Sequence, residues 1–112
     1  MNIKIIRGDD KLIELRFSKD NMPLDITGWK IYFTMKKSKA DPDEKAILAK
    51  DITEHSDPQN GITQLFLTNV ETAEFKRGDY FYDIQAKDNE GYIITVLKGK
   101  IIVDSDITRR TT

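Results

Sequence analysis

Apolar and polar side chains alternate most regularly in the segment that follows Gly78. From Tyr80 to Ala86 every even position carries an apolar or aromatic residue, and most odd positions carry polar ones. Because neighbouring side chains of a β-strand point to opposite faces, this pattern predicts a strand with one buried face. Tyr80 and Tyr82 are predicted on the buried face, and Gly78 is predicted to form the turn that enters the strand.

The same alternation, interrupted by turn-forming residues, predicts further strands on both sides of this segment. The predicted strands are residues 3–7, 11–17, 29–36, 46–52, 62–67, 80–87, 92–97 and 100–103. Trp29 begins the third of them on its apolar face, so its large ring is predicted to anchor the core. Gly99 separates the last two and is predicted to mark a bulge or bend.

Short connectors account for the rest of the chain. Asn60 and Gly61 favour a tight hairpin turn, because both residues tolerate positive φ. The alternation of apolar and polar residues then stops, and the new spacing of apolar residues predicts at most one short helical turn near residues 70–74, with Asn69 as a candidate cap. Residues 88–91 predict a hairpin loop, and the polar tail from about residue 105 is expected to fray.

Strands at this spacing, with little helix, predict an all-β fold. The chain has 112 residues, the length of one domain. A domain of this size buries roughly 65% of the surface that its unfolded chain exposes. We therefore expect a single domain over residues 1–112, a two-sheet sandwich with a hydrophobic interior. A barrel of roughly five or six strands is the alternative.

The composition excludes several classes of protein. Lys and Arg total 18 and Asp and Glu total 19, a net charge of −1, whereas nucleic-acid-binding proteins carry a basic excess. The absence of cysteine excludes disulfides and thiolate metal sites. No apolar run approaches the ~20 residues of a membrane helix, and the N-terminus is too short and too charged for a signal peptide. Because the chain starts at Met1, we expect a complete small cytosolic product.

Three features could carry chemistry, and each has a simpler explanation. His55, the only histidine, lies in a polar loop that offers no evident catalytic or metal-binding partner. The acidic run of Asp41, Asp43 and Glu44 lacks the glycine that a calcium loop uses for its sharp turn. The tripeptide at residues 7–9 spells an adhesion motif, but a strand end followed by a permissive glycine explains it as well. We therefore expect no catalytic, metal-binding or cofactor-binding residues and no enzyme activity.

Three aromatic residues fall on strand faces opposite to the predicted core: Tyr32, Phe81 and Tyr92. Exposed aromatic side chains on a strand can bind a protein or a carbohydrate. Cover by a loop or by a neighbouring strand is the simpler explanation, followed by a protein interface and then a carbohydrate platform. These three residues are the candidate interface.

Four stretches of the chain share motifs with a known family. They are Ile6-Arg7-Gly8-Asp9-Asp10, residues 22–33, residues 78–84 and residues 91–103. Residues 23–28 are similar to a Pro-Leu-Asp-Leu-Thr-Gly connector, and residues 78–84 are similar to a Gly-x-Tyr-x-Tyr-Asp strand. Together they resemble the immunoglobulin-like N-terminal domain of phage baseplate upper proteins, the BppU family.

The resemblance implies an immunoglobulin-like sandwich of about seven to eight antiparallel strands. In such a fold, a tyrosine at this strand entry donates its hydroxyl to a backbone carbonyl a few residues upstream, and Tyr80 is predicted to do so. The implied function is a non-enzymatic structural or adaptor role in a phage or prophage tail or baseplate.

The partners implied by the resemblance are other virion or tail proteins. We also expect a homo-oligomer, and from charge and hydropathy we expect neither nucleic acid nor membrane as a partner. The implied location is the virion, or the host cytoplasm during assembly. The alternative is a carbohydrate-binding module that recognises the host surface through exposed aromatic residues. A weaker third hypothesis is a small enzyme whose carboxylates meet only in three dimensions.

Overall fold

The structure, a computed structural model, describes residues 2–105, and the predicted tail lies almost wholly outside this range. Nine strands and one α-helix occur in this part of the chain. The strands are β1 (Ile3–Ile6), β2 (Lys11–Arg16), β3 (Ser18–Lys19), β4 (Met22–Pro23), β5 (Lys30–Lys36), β6 (Leu48–Ile52), β7 (Ile62–Leu67), β8 (Gly78–Lys87) and β9 (Ile93–Asp104). The helix α1 spans Asn69–Ala73, and 3₁₀ turns lie at Asp43–Lys45 and Pro58–Asn60.

Two sheets and a small hairpin make up the fold. The larger sheet has the strand order β1-β9-β8-β5-β6, β2 pairs with β7 in the second sheet, and β3 pairs with β4. Strands β5 and β8 supply the centre of a single core through Ile31, Phe33, Met35, Tyr82 and Ile84. The prediction of an all-β sandwich is confirmed, because the alternating apolar positions of the strands meet in this core.

One strand pair departs from the predicted antiparallel arrangement. β1 runs parallel to β9, with Ile3 opposite Ile101 and Ile6 opposite Asp104. The prediction of antiparallel pairing throughout was wrong here, because only strands joined by a tight turn are obliged to be antiparallel. β1 and β9 come from opposite ends of the described chain, so no short connection limits their relative direction.

β9 is one continuous strand and is not divided at Gly99. Gly99 pairs with Tyr82 in regular register, and the ladder between β8 and β9 is irregular at Val96 instead. The position of the predicted bulge was therefore wrong, because a glycine also fits a regular extended backbone. The described strands number nine, against the predicted seven or eight, because the two-residue strands β3 and β4 were not predicted and the predicted strands 92–97 and 100–103 form the single strand β9.

The helix α1 confirms the predicted helical turn but has a different cap. The hydroxyl of Thr68 accepts a hydrogen bond from the N–H of Glu71 at 3.1 Å, and the carboxylate of Glu71 accepts one from the N–H of Thr68 at 2.9 Å. This reciprocal pair satisfies two N–H groups that a helix start leaves unpaired. Burial acts to raise the pKa of Glu71, but hydrogen bonds from Lys50 and from the Thr68 backbone hold that pKa below its usual value.

The Asn60–Gly61 pair closes a 3₁₀ turn and does not form the centre of a hairpin. Gly61 has a left-handed φ of 72°, and a Cβ at this position would collide with the backbone carbonyls of Phe17 and Leu24. A hairpin between β6 and β7 does not form because the two strands belong to different sheets.

Trp29 lies at the rim of the core. It precedes β5 by one residue, is half-buried, and packs against Phe17 with the ring centres 6.4 Å apart. The central aromatic position belongs to Phe33, whose ring centre is 6.0 Å from that of Tyr82. The ring of Trp29 therefore closes one end of the core, and Phe33 takes the anchoring position predicted for Trp29.

Tyr80 has the contacts of a tyrosine corner. It is buried, and its hydroxyl donates a hydrogen bond of 2.6 Å to the carbonyl of Lys76. Gly78 lies between the two residues with a φ of 146°, a conformation that favours glycine. Phe75 packs edge-on against the ring, and the ammonium of Lys37 lies 4.6 Å from the ring centre. These contacts hold the connection between α1 and β8.

Tyr80→Phe removes this hydrogen bond and keeps the ring. We expect the free energy of unfolding to fall by about 1–2 kcal/mol, because one largely buried hydrogen bond is lost. The matched control is Tyr92→Phe, at an exposed tyrosine, which we expect to change the free energy by less than about 0.5 kcal/mol. Urea unfolding followed by circular dichroism measures both, and equal losses would contradict the role given to the Tyr80 hydroxyl.

Candidate interaction surfaces

Three of the ionisable residues singled out in the sequence, His55, Asp41 and Asp43, have structural partners. The ring nitrogens of His55 each lie 2.8 Å from a partner, the hydroxyl of Thr63 and the carbonyl of Trp29. Because a carbonyl only accepts, Nε2 donates to the carbonyl of Trp29, and Nδ1 of the neutral ring then accepts from the hydroxyl of Thr63. Asp43 pairs with Lys36 at 2.7 Å. In the described part of the chain, no three or more His, Cys, Asp or Glu side chains group in a way that could hold a metal ion.

The tripeptide at residues 7–9 is bound to the end of α1. The guanidinium of Arg7 donates to the carbonyls of Phe75 and Ala73, both at 2.6 Å. The N–H of Gly8 donates to a threonine hydroxyl of the helix at 3.1 Å. Carbonyls at a helix end lack helical partners, so Arg7 satisfies the Ala73 carbonyl that α1 leaves open and also binds the connection that follows the helix. The adhesion-like tripeptide is therefore part of the fold.

The outward side chains of β5, β8 and β9 form a grid on the larger sheet. Two adjacent rows across these strands are Lys36–Phe81–Lys100 and Thr34–Asp83–Lys98. Together with Lys39 they line a groove of about 480 Å³, which we call the lysine groove. The ammonium groups of Lys39 and Lys100 lie 5.1 and 5.8 Å from the centre of the Phe81 ring. Cation–π attraction therefore holds two positive charges beside one aromatic ring.

The three candidate interface aromatics do not form one surface. Tyr32 and Phe81 both lie on the outer face of the larger sheet, where Tyr32 is opposite Gln85 and Phe81 is opposite Lys36. Both rings are half-buried. Tyr92 lies instead in the hairpin loop between β8 and β9. The structure thus separates Tyr92 from the other two candidates.

A cluster of exposed apolar residues occupies the start of β9, and we call it the distal patch. The exposed fractions are 66% for Tyr92, 60% for Ile93, 52% for Ile94 and 38% for Val96. β1 pairs only with the far end of β9, residues 101–104. Among the described residues, the edge of β9 from residue 93 to residue 100 therefore has a strand neighbour on one side only. Apolar side chains and an open strand edge occur together here.

Sequence reasoning singled out only Tyr92 from the distal patch. The missed signal is a break in the alternation, because residues 92–94 are three consecutive apolar residues. Such a run places apolar side chains on both faces of a strand. Farther along β9, the side chains of one face pack in the core. The start of β9 lies outside the segment that pairs with β1.

The outer edge of β7, unlike the open edge of β9, is covered by a lysine side chain. The ammonium of Lys50 donates to the carbonyl of Phe66 at 2.6 Å and to the carboxylate of Glu71 at 2.8 Å. A lysine that covers an edge carbonyl opposes pairing with another strand. The open edge of β9 is therefore the better candidate for association through a strand.

Comparison with solved structures shows the fold alone. CopC from Methylosinus trichosporium OB3b matches with a TM-score of 0.52 and 18% identity, over 96% of this chain and 88% of that chain. The PmoD soluble domain from Methylocystis sp. ATCC 49242 (Rockwell) matches with a TM-score of 0.53 and 10% identity, over 90% of this chain and 77% of that chain. No curated protein sequence matches. No helix of the described residues is long and apolar enough to cross a bilayer.

The family match agrees with the resemblance seen in the sequence. The BppU N-terminal domain family matches residues 1–73, which contain the motifs at residues 6–10 and 22–33. Strands β8 and β9, and with them the distal patch, lie beyond the matched range. Because the match covers well over half of the sequence, this chain belongs to the family of BppU N-terminal domains, a family of phage baseplate upper proteins.

Proposed function

We propose that this chain is a non-enzymatic structural module of a phage or prophage tail that binds another virion protein through the distal patch. Membership of a phage baseplate family supports a place in the virion, or in the host cytoplasm during assembly, and an association with other virion proteins. The observation that carries the proposal is the combination of exposed apolar side chains with an open strand edge at the start of β9.

The open edge offers two kinds of contact to a partner. Its eight residues, 93–100, span about 26 Å in an extended strand. An extended segment of another protein can add to such an edge through backbone hydrogen bonds, while alternate side chains fill pockets on either face. Burial of the exposed isoleucine and valine side chains contributes about 25 cal/mol for each Å² removed from water.

Features of β9 direct such pairing to one half of the edge. The irregular register at Val96 interrupts the edge at its middle, and the lysines at positions 98 and 100 oppose strand addition along the second half. The first half, Ile93 to Val96, carries no charged side chain. The favoured contact is therefore short, and it lies next to the hairpin loop that holds Tyr92.

The glycan-binding alternative has less support from the geometry. A sugar ring stacks on an exposed aromatic face, but lysine ammonium groups lie beside the ring of Phe81. Tyr92 lies in the hairpin loop, away from the face that carries Tyr32 and Phe81. No pair of the three aromatics forms an open stacking platform.

The test of the proposed function is co-expression of this chain with the tail proteins encoded beside its gene. We expect a complex with one of them, and we expect Ile94→Lys combined with Val96→Lys to raise its Kd by about tenfold or more, as for central interface residues. Size-exclusion chromatography with light scattering identifies the complex, and isothermal titration calorimetry measures the Kd.

The matched control is Val70→Lys, at an apolar side chain of α1 that is 71% exposed, which we expect to leave the Kd within about twofold of the original. Equal weakening by both changes would contradict a role for the distal patch. Neighbouring genes without any tail or baseplate protein would contradict the virion role. A dimer of this chain alone that is lost with Ile94→Lys would assign the patch to self-association instead.

A further inference from the structure

The lysine groove carries a local charge opposite to that of the whole chain. Its lining contains four lysines and two aspartates, a local balance of +2, whereas the chain has a net charge of −1. The lysines come from three separate segments: Lys36 on β5, Lys39 in the following loop, and Lys98 and Lys100 on β9. The fold therefore brings two basic stretches, residues 36–39 and 98–100, which lie far apart in the sequence, onto one surface.

Two of the four lysines are available to an incoming ligand. Lys36 is engaged by Asp43 at 2.7 Å, and Lys98 also has a partner within the fold. Lys39 and Lys100 instead contact the ring of Phe81. A cation beside an aromatic ring keeps its hydrogen-bond donors, because the ring occupies one side of the ammonium group only. A carboxylate that approaches the two ammonium groups from the solvent side could accept from both lysines.

The ring of Phe81 adds an apolar surface to the two lysine charges. Phe81 is directly opposite Lys36 on one side and Lys100 on the other, so the floor of the groove is apolar and its walls are basic. The methylene stems of the lysines add apolar contact beneath their charged ends. Such a site favours a ligand that combines negative charge with apolar groups.

The two aspartates favour a polypeptide over a nucleic acid as that ligand. A nucleic-acid backbone carries a phosphate at every nucleotide, and its binding surfaces are continuously basic. In this groove Asp83 lies beside Lys98 in the row next to Phe81, and Asp43 lies on the lining. A peptide can place acidic side chains at the lysines and neutral ones at the aspartates.

We propose that the lysine groove binds an acidic segment of another polypeptide, with a carboxylate held by the ammonium groups of Lys39 and Lys100 beside Phe81. This surface lies on the outer face of β5, β8 and β9, whereas the distal patch lies at the start of β9. The proposal goes beyond the proposed function and does not depend on it. The chain would thus offer a charged contact in addition to an apolar one.

The test uses the full chain and a fluorescein-labelled peptide of alternating glutamate and leucine. We expect fluorescence anisotropy to show saturable binding at about 20 mM salt and weaker binding at about 300 mM salt, because screening shortens the reach of the charges. Lys39→Gln combined with Lys100→Gln is expected to weaken binding by about tenfold or more. Peptide-induced NMR shifts in the unmodified chain are expected at Thr34, Phe81 and Gln85, which are on this face.

The matched control carries Lys19→Gln and Lys76→Gln, the same charge change at two exposed lysines outside the groove. We expect this control to bind within about twofold of the original chain. Equal weakening in both variants, shifts away from the groove, or no binding at millimolar peptide would each overturn the proposal. A single-stranded oligonucleotide that binds as tightly as the peptide would replace it with a general polyanion surface.

Discussion

Phe33→Ala is expected to lower the free energy of unfolding by about 3–5 kcal/mol, as truncation of a buried aromatic does. Phe33 is 1% exposed, and its neighbours across the sheet are Ile84 on β8 and Lys50 on β6. Truncation removes apolar burial and leaves a cavity, because strands held on both sides by hydrogen bonds cannot collapse into it. Domains are stable by only about 5–15 kcal/mol, so this single change brings the protein close to unfolding.

The matched control is Phe66→Ala, at a phenylalanine that is 44% exposed on β7, which we expect to cost less than about 1 kcal/mol. Trp29→Ala is expected to fall between the two at about 2 kcal/mol, because its ring is half-buried at the rim of the core. Urea unfolding followed by circular dichroism measures all three variants. A loss for Phe66 as large as that for Phe33 would contradict the position of the core.

Arg7→Ala is expected to cost about 2–3 kcal/mol. The guanidinium of Arg7 makes two hydrogen bonds of 2.6 Å to the carbonyls of Phe75 and Ala73, and hydrogen bonds from a charged donor contribute more than neutral ones. Without Arg7, these two carbonyls lose their hydrogen-bond donor. The end of β1 also loses its contact with the end of α1. Thermal unfolding and urea unfolding both measure the loss.

Two further variants separate this role from a general effect of charge. Arg16→Ala breaks an exposed pair with Glu14, 3.0 Å long, and we expect it to cost less than about 0.5 kcal/mol. Arg7→Lys keeps the charge but lacks the planar fork that reaches two acceptors, so we expect it to recover only part of the stability. Arg7 and Arg16 variants of equal stability would show that the tripeptide at residues 7–9 is free of the fold.

Burial along each strand was readable from the sequence because alternation is a local property. Side chains two residues apart share a face whatever the strand pairs with, so the apolar positions of β5 and β8 were predicted in the core and are found there. The short helix and the position of Tyr80 were also readable, since both depend on a few neighbouring residues. The motifs shared with the phage family were equally local.

The pairing of strands could not be predicted from the local sequence pattern. The parallel contact of β1 with β9 joins residues about a hundred positions apart, and no local pattern states its direction. The irregular register lies at Val96 and not at Gly99, and this position appears only in the pairing of β9 with β8. Thr68 replaces Asn69 as the cap because the helix starts at Asn69, one residue earlier than predicted.

The candidate sites also depended partly on local sequence and partly on contacts between distant segments. Tyr32, Phe81 and Tyr92 were chosen as outward aromatics, but only the structure separates Tyr92 from the other two and brings lysines onto Phe81. The distal patch needed the extent of β1 as well as the sequence of β9, because a strand edge is open only where its neighbour ends.

The sequence by itself determined that this chain forms strands with one apolar face, a tyrosine at the entry to β8, and motifs of a phage baseplate family. Those features depend on residues close together along the chain. Only the tertiary structure decided which strands are neighbours, where Trp29 and Phe33 sit in the core, and which charges and apolar side chains share a surface. These follow from contacts between distant segments, since packing and hydrogen bonding across the two sheets select one arrangement among many that the same alternation allows.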